Sequence, residues 1–352
     1  VWDDAELAAT VGAGRVKIDY ISGNLGRAAA DGRRNHLVVA GPGGGKTHAL
    51  EAIAAGVRHR LPSALVLRPD LFGVGNYADL LYEALRIHDP GLVDHCQRAA
   101  WNWVAFENLL SDAAAAQPTV LVLDDVDRAF SRMEPTAHSR LRNWMERTRN
   151  GALLASAAMT RNPASRSRRP WPWLSMFDIA VLPSLEVKDA ADLVSAEALR
   201  ADGNGPGVKR GPSWRPEQIA ELHALLGGNP RVWAVIAAHL TRTDSIDLPL
   251  SAIFDQLAPY YVPRLYTLSP LSSRLLVELA RAGNPLTVTA LAERVDLSHQ
   301  NTAAALSRLV LTNWLIRLRP PAGADQRNSL YAIAESSMRE FIRDRDTRHR
   351  WS

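Results

Sequence analysis

Cysteine is almost missing from this sequence: Cys96 is the single one in 352 residues. That excludes an intrachain disulfide and a cysteine-based metal site, and it fits a reducing compartment, so a cytoplasmic location is expected. No apolar run reaches 18 residues, and the chain starts Val-Trp-Asp-Asp rather than with a basic stretch. Neither a membrane span nor a secretory signal is expected. Lysine is scarce as well, with Lys17, Lys46, Lys188 and Lys209 set against 37 arginines. Alongside heavy alanine usage, this skew is what a GC-rich genome produces. The formal net charge of +4 therefore argues for a polyanion partner only where the charge is clustered.

Apolar residues make up 47% of the chain, enough for large cores, and the length implies two or three domains. In the first half, short apolar runs alternate with helical periodicity. Leu37-Val38-Val39-Ala40, 64–67, Val120-Leu121-Val122-Leu123, 153–158 and 177–182 read as strands. Segments 47–60, 77–87, 101–116 and 140–149 read as helices, an alternation that predicts a parallel sheet covered by helices. After Pro183 the strands stop: 189–200, 216–226, 231–241 and 250–257 are helical, with a Gly/Pro-rich surface loop over 202–212. From Pro263 three short helices (272–282, 287–295, 299–311) precede two strands (315–319, 330–333), the order of a winged helix-turn-helix. A charged helix over 336–350 follows. The expected divisions are an α/β core over 1–183, an all-α lid over 184–262 and a winged helix over 263–352.

Residues 40–47, Ala-Gly-Pro-Gly-Gly-Gly-Lys-Thr, lie between a strand and a helix and form a phosphate-binding loop. Gly41, Gly43, Gly44 and Gly45 let the backbone take positive φ and turn its N–H groups inward, and the helix N-terminus adds its dipole. Pro42 and His48 complete the expected nucleotide contact. Lys46 reaches the β and γ phosphates and Thr47 holds Mg²⁺; Ala40 stands where glycine is usual, a small change. The strand 120–123 delivers Asp124 and Asp125 to its C-terminal edge, 78 residues after Lys46. Asp124 is assigned to Mg²⁺, and Asp125 to polarising the attacking water. After the next strand, Thr160, Arg161 and Asn162 are candidates to touch the γ-phosphate, with Arg161 assigned a catalytic role. Arg166, Arg168 and Arg169 form either an arginine finger reaching a neighbouring subunit or a basic surface loop. The turn Gly227-Gly228-Asn229-Pro230-Arg231 ends one helix and starts the next, and it places Pro230 and Arg231 toward a nucleotide.

With these elements in this order, the chain resembles the AAA+/STAND group of P-loop ATPases, and most of all the archaeal-type, initiator-like members with a C-terminal winged helix. The resemblance covers roughly 15–345. It rests on the phosphate loop, on Leu123-Asp124-Asp125-Val126-Asp127-Arg128, on the junction Leu182-Pro183-Ser184-Leu185, on Gly227 to Arg231, and on 286–292 with Gln300-Asn301-Thr302. It implies a three-layer αβα core, a helical lid with ATP and Mg²⁺ bound between core and lid, slow hydrolysis suited to a switch, and nucleotide-driven opening or assembly as a homo-oligomer or with a partner protein. Asp125 departs from the usual glutamate.

The winged helix decides between two outputs. Over 264–319 seven arginines (264, 274, 281, 294, 308, 317, 319) face three acids (Glu278, Glu293, Asp296). Ser298 caps a recognition helix on which Gln300, Asn301 and Thr302 read bases of double-stranded DNA, while Arg308, Arg317 and Arg319 meet phosphates and Arg327 lies on the wing. The alternative is a signalling or defence ATPase that assembles with protein partners, its winged helix an interaction module. Among the ten tryptophans, Trp101, Trp103, Trp171 and Trp173 are then interface anchors if exposed and core residues if not.

Overall fold

The computed structural model describes residues 35–88, 91, 102–148, 150–158, 174, 177–201, 215–240, 250–320 and 329–350. The expected sites at 159–162, Arg166, Arg168, Arg169 and Arg327, and Trp101, Trp171 and Trp173, lie outside the described residues. The chain divides into two compact units, 1–183 and 184–352.

The first unit runs β1 (Asn35–Val39), α1 (Lys46–Arg60), β2 (Leu65–Leu67), α2 (Tyr77–His88), α3 (Trp103–Ala116), β3 (Thr119–Leu123), α4 (Val126–Arg132), α5 (Pro135–Arg147), β4 (Gly151–Ala157) and β5 (Phe177–Val181). The strands form one parallel sheet in the order β2-β3-β4-β1-β5. The inner strands β1, β3 and β4 are covered on both faces, so their runs are apolar at nearly every position, while the edge strand β5 leaves Ile179 and Val181 exposed. Strand alternation sorts them: Val38, Val120, Val122, Ala152 and Leu154 pack with Leu50, Ile53 and Val57 of α1. Leu37, Leu121, Leu123 and Leu153 pack on the other face with Leu81, Phe106, Leu141 and Trp144. This is the expected αβα core. The short helix α4, which begins directly behind Asp125, was not expected, and α5 starts at Pro135 rather than near 140. Trp103 lies partly buried against that core, its ring tilted 5.9 Å from Tyr77 and 4.4 Å below the Arg140 guanidinium. It is a packing residue, not an exposed anchor.

The second unit contains α6 (Val187–Ala201), α7 (Pro216–Leu226), α8 (Pro230–Leu240), α9 (Leu250–Tyr266), α10 (Pro270–Ala282), β6 (Leu286–Thr287), α11 (Val288–Val295), α12 (His299–Leu311), β7 (Leu315–Leu318), β8 (Leu330–Ile333) and α13 (Ser336–Arg350). The three strands form an antiparallel sheet, β6-β8-β7. Side-chain caps define the winged helix: Ser269, Thr287 and Ser298 accept the N–H groups of Ser272, Ala290 and Asn301. Helix α9 passes through the division expected at 262/263. Its prolines, Pro259 and Pro263, lie with Asp255 on the exposed side, where the carbonyls they leave unbonded reach water. Ile253, Phe254, Leu257 and Tyr261 hold the opposite face in a core continuous from Val194 to Phe341. Among the described residues no helix is long and apolar enough to cross a membrane.

Candidate functional site

The loop after β1 folds as its glycines require. Gly43 and Gly45 take φ of 75° and 83°, a region an L side chain rarely adopts. Gly44 is held by space: a Cβ there would lie 2.8 Å from Ala40 Cβ and 2.9 Å from Gly41 O. Ala40, at the place of the usual glycine, is buried and is absent from the described positive-φ residues, so its methyl is accommodated without strain. A Cβ built at Gly41 would meet nothing within 4 Å, so the space beside Gly41 is open. Helix α1 begins at Lys46 with no acidic residue in its first turn, so no acid of the helix itself offsets its positive end.

Strand parity carries the acids to this loop. Asp124 continues the Val120, Val122 face of β3 toward α1, and there its Oδ2 accepts a 2.6 Å hydrogen bond from the Thr47 hydroxyl. Lys46, whose side chain is 10% exposed, pairs through Nζ with Asp125 Oδ1 at 3.5 Å. Asp125 sits in the left-handed region, φ 51° and ψ 45°, just before α4. Aspartate tolerates that region better than most residues, and such strain concentrates at functional sites. The structure thus brings Lys46, Thr47, Asp124 and Asp125 together where the Gly41–Gly45 loop enters α1, with the exposed His48 next to Thr47.

Ser156 was not anticipated. It is fully buried, and continuing the β3–β4 register places it opposite Asp124. Its hydroxyl donates to Asp124 Oδ1 and accepts the Asp125 N–H at 3.0 Å, so one side chain aims both acids. The available signal was a lone hydroxyl in the apolar run Gly-Ala-Leu-Leu-Ala-Ser-Ala, on the face shared with Ala152 and Leu154. Asp127 acts nearby: buried, it accepts the Ala158 N–H at 3.1 Å and fixes the end of β4.

These residues fit a Mg²⁺–nucleotide. Among the described residues no three His, Cys, Asp or Glu side chains are gathered to hold a metal. Mg²⁺ does not need them, because it keeps water and phosphate oxygens and takes one or two protein ligands. Thr47 and Asp124 supply a hydroxyl and a carboxylate oxygen at the helix N-terminus.

In the second unit the turn before α8 has a tight backbone. Gly227 takes φ 74°, and a Cβ on Gly228 would lie 2.1 Å from Leu185 O, so the turn packs backbone against the junction residue Leu185. Pro230 is the first residue of α8, and the Arg231 guanidinium lies 4.3 Å from the Tyr260 ring centre. The neighbouring Asn229 donates to Glu335 at 2.7 Å, and Glu335 also accepts from Tyr261 (2.7 Å) and Arg264 (3.3 Å). Burial pushes the Tyr260 hydroxyl up to about 12 and the Tyr261 hydroxyl higher, so both stay protonated at neutral pH.

The winged-helix surface differs from expectation in two respects. Thr302 is fully buried in the core of the motif and cannot read a base. It falls on the inward stripe of α12 with Ala305, Leu306 and Leu309, whereas Gln300, Asn301 and Arg308 are exposed. Three of the seven arginines are tied to carboxylates of the same unit: Arg264 to Glu335, Arg281 to Glu278 and Asp346, and Arg294 to Glu278. Arg281 and Arg294 stay exposed despite these pairs, as do Arg274, Arg308, Arg317 and Arg319, with Arg317 also donating to Ser329 at 2.6 Å.

Comparison with known proteins agrees with this architecture. A profile of the MarR family matches residues 266–327. No curated protein sequence matches the chain. Among solved structures, the Walker-type ATPase of Pyrococcus abyssi is similar over 92% of this chain and 95% of its own, with 12% identity and a TM-score of 0.63. The Aeropyrum pernix ORC2 protein in its ADPNP–ADP complexes is similar over 96% and 95%, with 12% identity and a TM-score of 0.63. Its ADP form gives 94% and 94%, 16% and 0.58. The chain thus shares its fold with these proteins: an αβα unit with a phosphate-loop turn, and a helical unit in which residues 266–327 match the MarR family profile.

Proposed function

We propose that this protein binds ATP with Mg²⁺ in its first unit, hydrolyses it slowly, and uses the nucleotide state to set DNA binding or assembly through the winged helix. The observation that carries the nucleotide part is the convergence of Lys46, Thr47, Asp124 and Asp125 on one glycine-built loop. The ADPNP and ADP bound by the structurally similar ORC2 protein support it. Thr47 and Asp124 hold the metal, which neutralises phosphate charge when bound. Lys46 and the loop backbone hold the phosphates, and Asp125 polarises the attacking water.

Ser156→Ala tests the aiming of the acids. Asp124 loses a donor while the cradle is untouched, so turnover falls about tenfold and ATP affinity changes less than about threefold. Steady-state hydrolysis beside a binding titration reads the split, and an unchanged turnover removes the role from Ser156.

For DNA, Gln300 and Asn301 offer base contacts, and Arg308, Arg317 and Arg319 offer phosphate contacts. Anisotropy of a labelled duplex with ATP, ADP or no nucleotide, at two salt concentrations, tests the output. Arg308→Ala lowers affinity across sequences and reduces the salt slope by about one. Absence of binding in every state at low salt defeats the DNA reading. The second reading, a winged helix that docks protein partners in a homo-oligomer or a defence complex, is favoured by the burial of Thr302 and the internal pairing of three arginines. Sedimentation that gives a monomer in every nucleotide state counts against it.

A further inference from the structure

Asp124 has a second flank. Ser156 lies on its β4 side, and Arg68 lies on its β2 side. Arg68 is the first residue after β2 and continues the Val66 face toward α1. Its Nη1 donates to Glu51 Oε1 at 2.8 Å, and its Nη2 stands 3.9 Å from Asp124 Oδ2. Glu51 is four residues after Thr47, on the same face of α1. Helix and strand together therefore hold a guanidinium beside the Thr47–Asp124 pair.

We propose that Arg68 contacts the terminal phosphate of the bound nucleotide, positioned by Glu51, and so lets this chain distinguish a nucleoside triphosphate from a diphosphate. The proposal rests on the reading of the first unit as a Mg²⁺–nucleotide site. Its physical basis is charge and geometry. Lys46 and Thr47 mark the β/γ end of the phosphate loop, and Asp124 touches Thr47 there. At 3.9 Å, Arg68 and Asp124 form an ion pair without a hydrogen bond, so the Nη2 protons can turn to a nearer acceptor. A guanidinium stays charged and presents a planar fork that matches phosphate oxygens in pairs. The local acids Asp124, Asp125 and Glu51 outnumber Lys46 and Arg68, so without Arg68 the side chains around a Mg²⁺–triphosphate would be three carboxylates and one cation. As a stabilising element the Arg68–Glu51 pair is weak: both side chains are over one-third exposed, and exposed pairs contribute little to folding.

The test is a titration of methylanthraniloyl-ATP and -ADP with Mg²⁺ into the full chain and its Arg68→Ala, Arg68→Lys and Glu51→Gln variants. Arg68→Ala weakens ATP binding about tenfold and ADP binding by no more than about twofold. Arg68→Lys keeps the charge without the fork and recovers part of the loss. Glu51→Gln gives an intermediate loss in the same direction. Equal losses for both nucleotides in Arg68→Ala, or no loss for either, overturn the proposal. Should the alanine variant fail to melt cooperatively, Arg68→Lys decides, and an unchanged ATP-to-ADP affinity ratio in it overturns the proposal. A wild-type chain that binds neither nucleotide overturns the site reading and this proposal together.

Discussion

Replacing Lys46 with alanine lowers ATP affinity by at least about a hundredfold, about 3 kcal/mol, the loss expected when a charged hydrogen-bond donor to phosphate is removed. The Lys46 side chain is nearly enclosed between the phosphate loop and Asp125. Its removal leaves Asp124 and Asp125 facing the phosphates without a neighbouring ammonium, so the loss combines a missing attraction with an added repulsion. Calorimetric titration with MgATP measures it, and a thermal melt separates it from misfolding. An affinity within about threefold of wild type would show that the loop does not hold phosphate.

Asp125→Asn keeps nucleotide binding within about threefold and lowers turnover about a hundredfold or more, the span of a lost general base. Asparagine is the right probe because Asp125 is in the left-handed region. Asn tolerates that conformation as Asp does, while alanine would add backbone strain to the measurement. The substitution removes the charge and the pairing with Lys46 and leaves Asp124, Thr47 and Ser156 in place. Single-turnover hydrolysis beside a binding titration reads both quantities. Turnover equal to wild type would free Asp125 of its role and pass the base to another group.

Much of the first unit was legible in the sequence because parallel strands buried on both faces must be apolar runs, and α1 must follow a loop that only glycine can form. Val120 to Leu123 and the acids behind them illustrate this: a five-residue strand ends where the sheet ends, so the next residues stand at its edge. The side of each acid also follows from alternation, and the same counting places Ser156 and Arg68 on the face of Asp124. What counting could not supply was adjacency. Ser156 and Arg68 flank Asp124 only because the sheet order puts β2 and β4 on either side of β3.

In the second unit, capping chemistry marked the helix starts, with Ser298 before α12 as expected. Charge counting does not register pairing: Arg264 and Arg281 meet partners 71 and 65 residues away. Thr302 looked polar and available, yet its place on the inward stripe of α12 buries it. In the sequence the pattern changes at Pro263, whereas burial of Tyr261 and its neighbours keeps α9 continuous past it.

The sequence by itself determined the phosphate loop, the acids at the strand end and the order of elements, because each follows from short-range backbone geometry and side-chain periodicity. Only the tertiary structure decided which side chains share a site, which arginines remain on the surface and where Thr302 points. Those depend on contacts between segments far apart in the chain, whose free energies arise only after the sheet and the helical core have assembled.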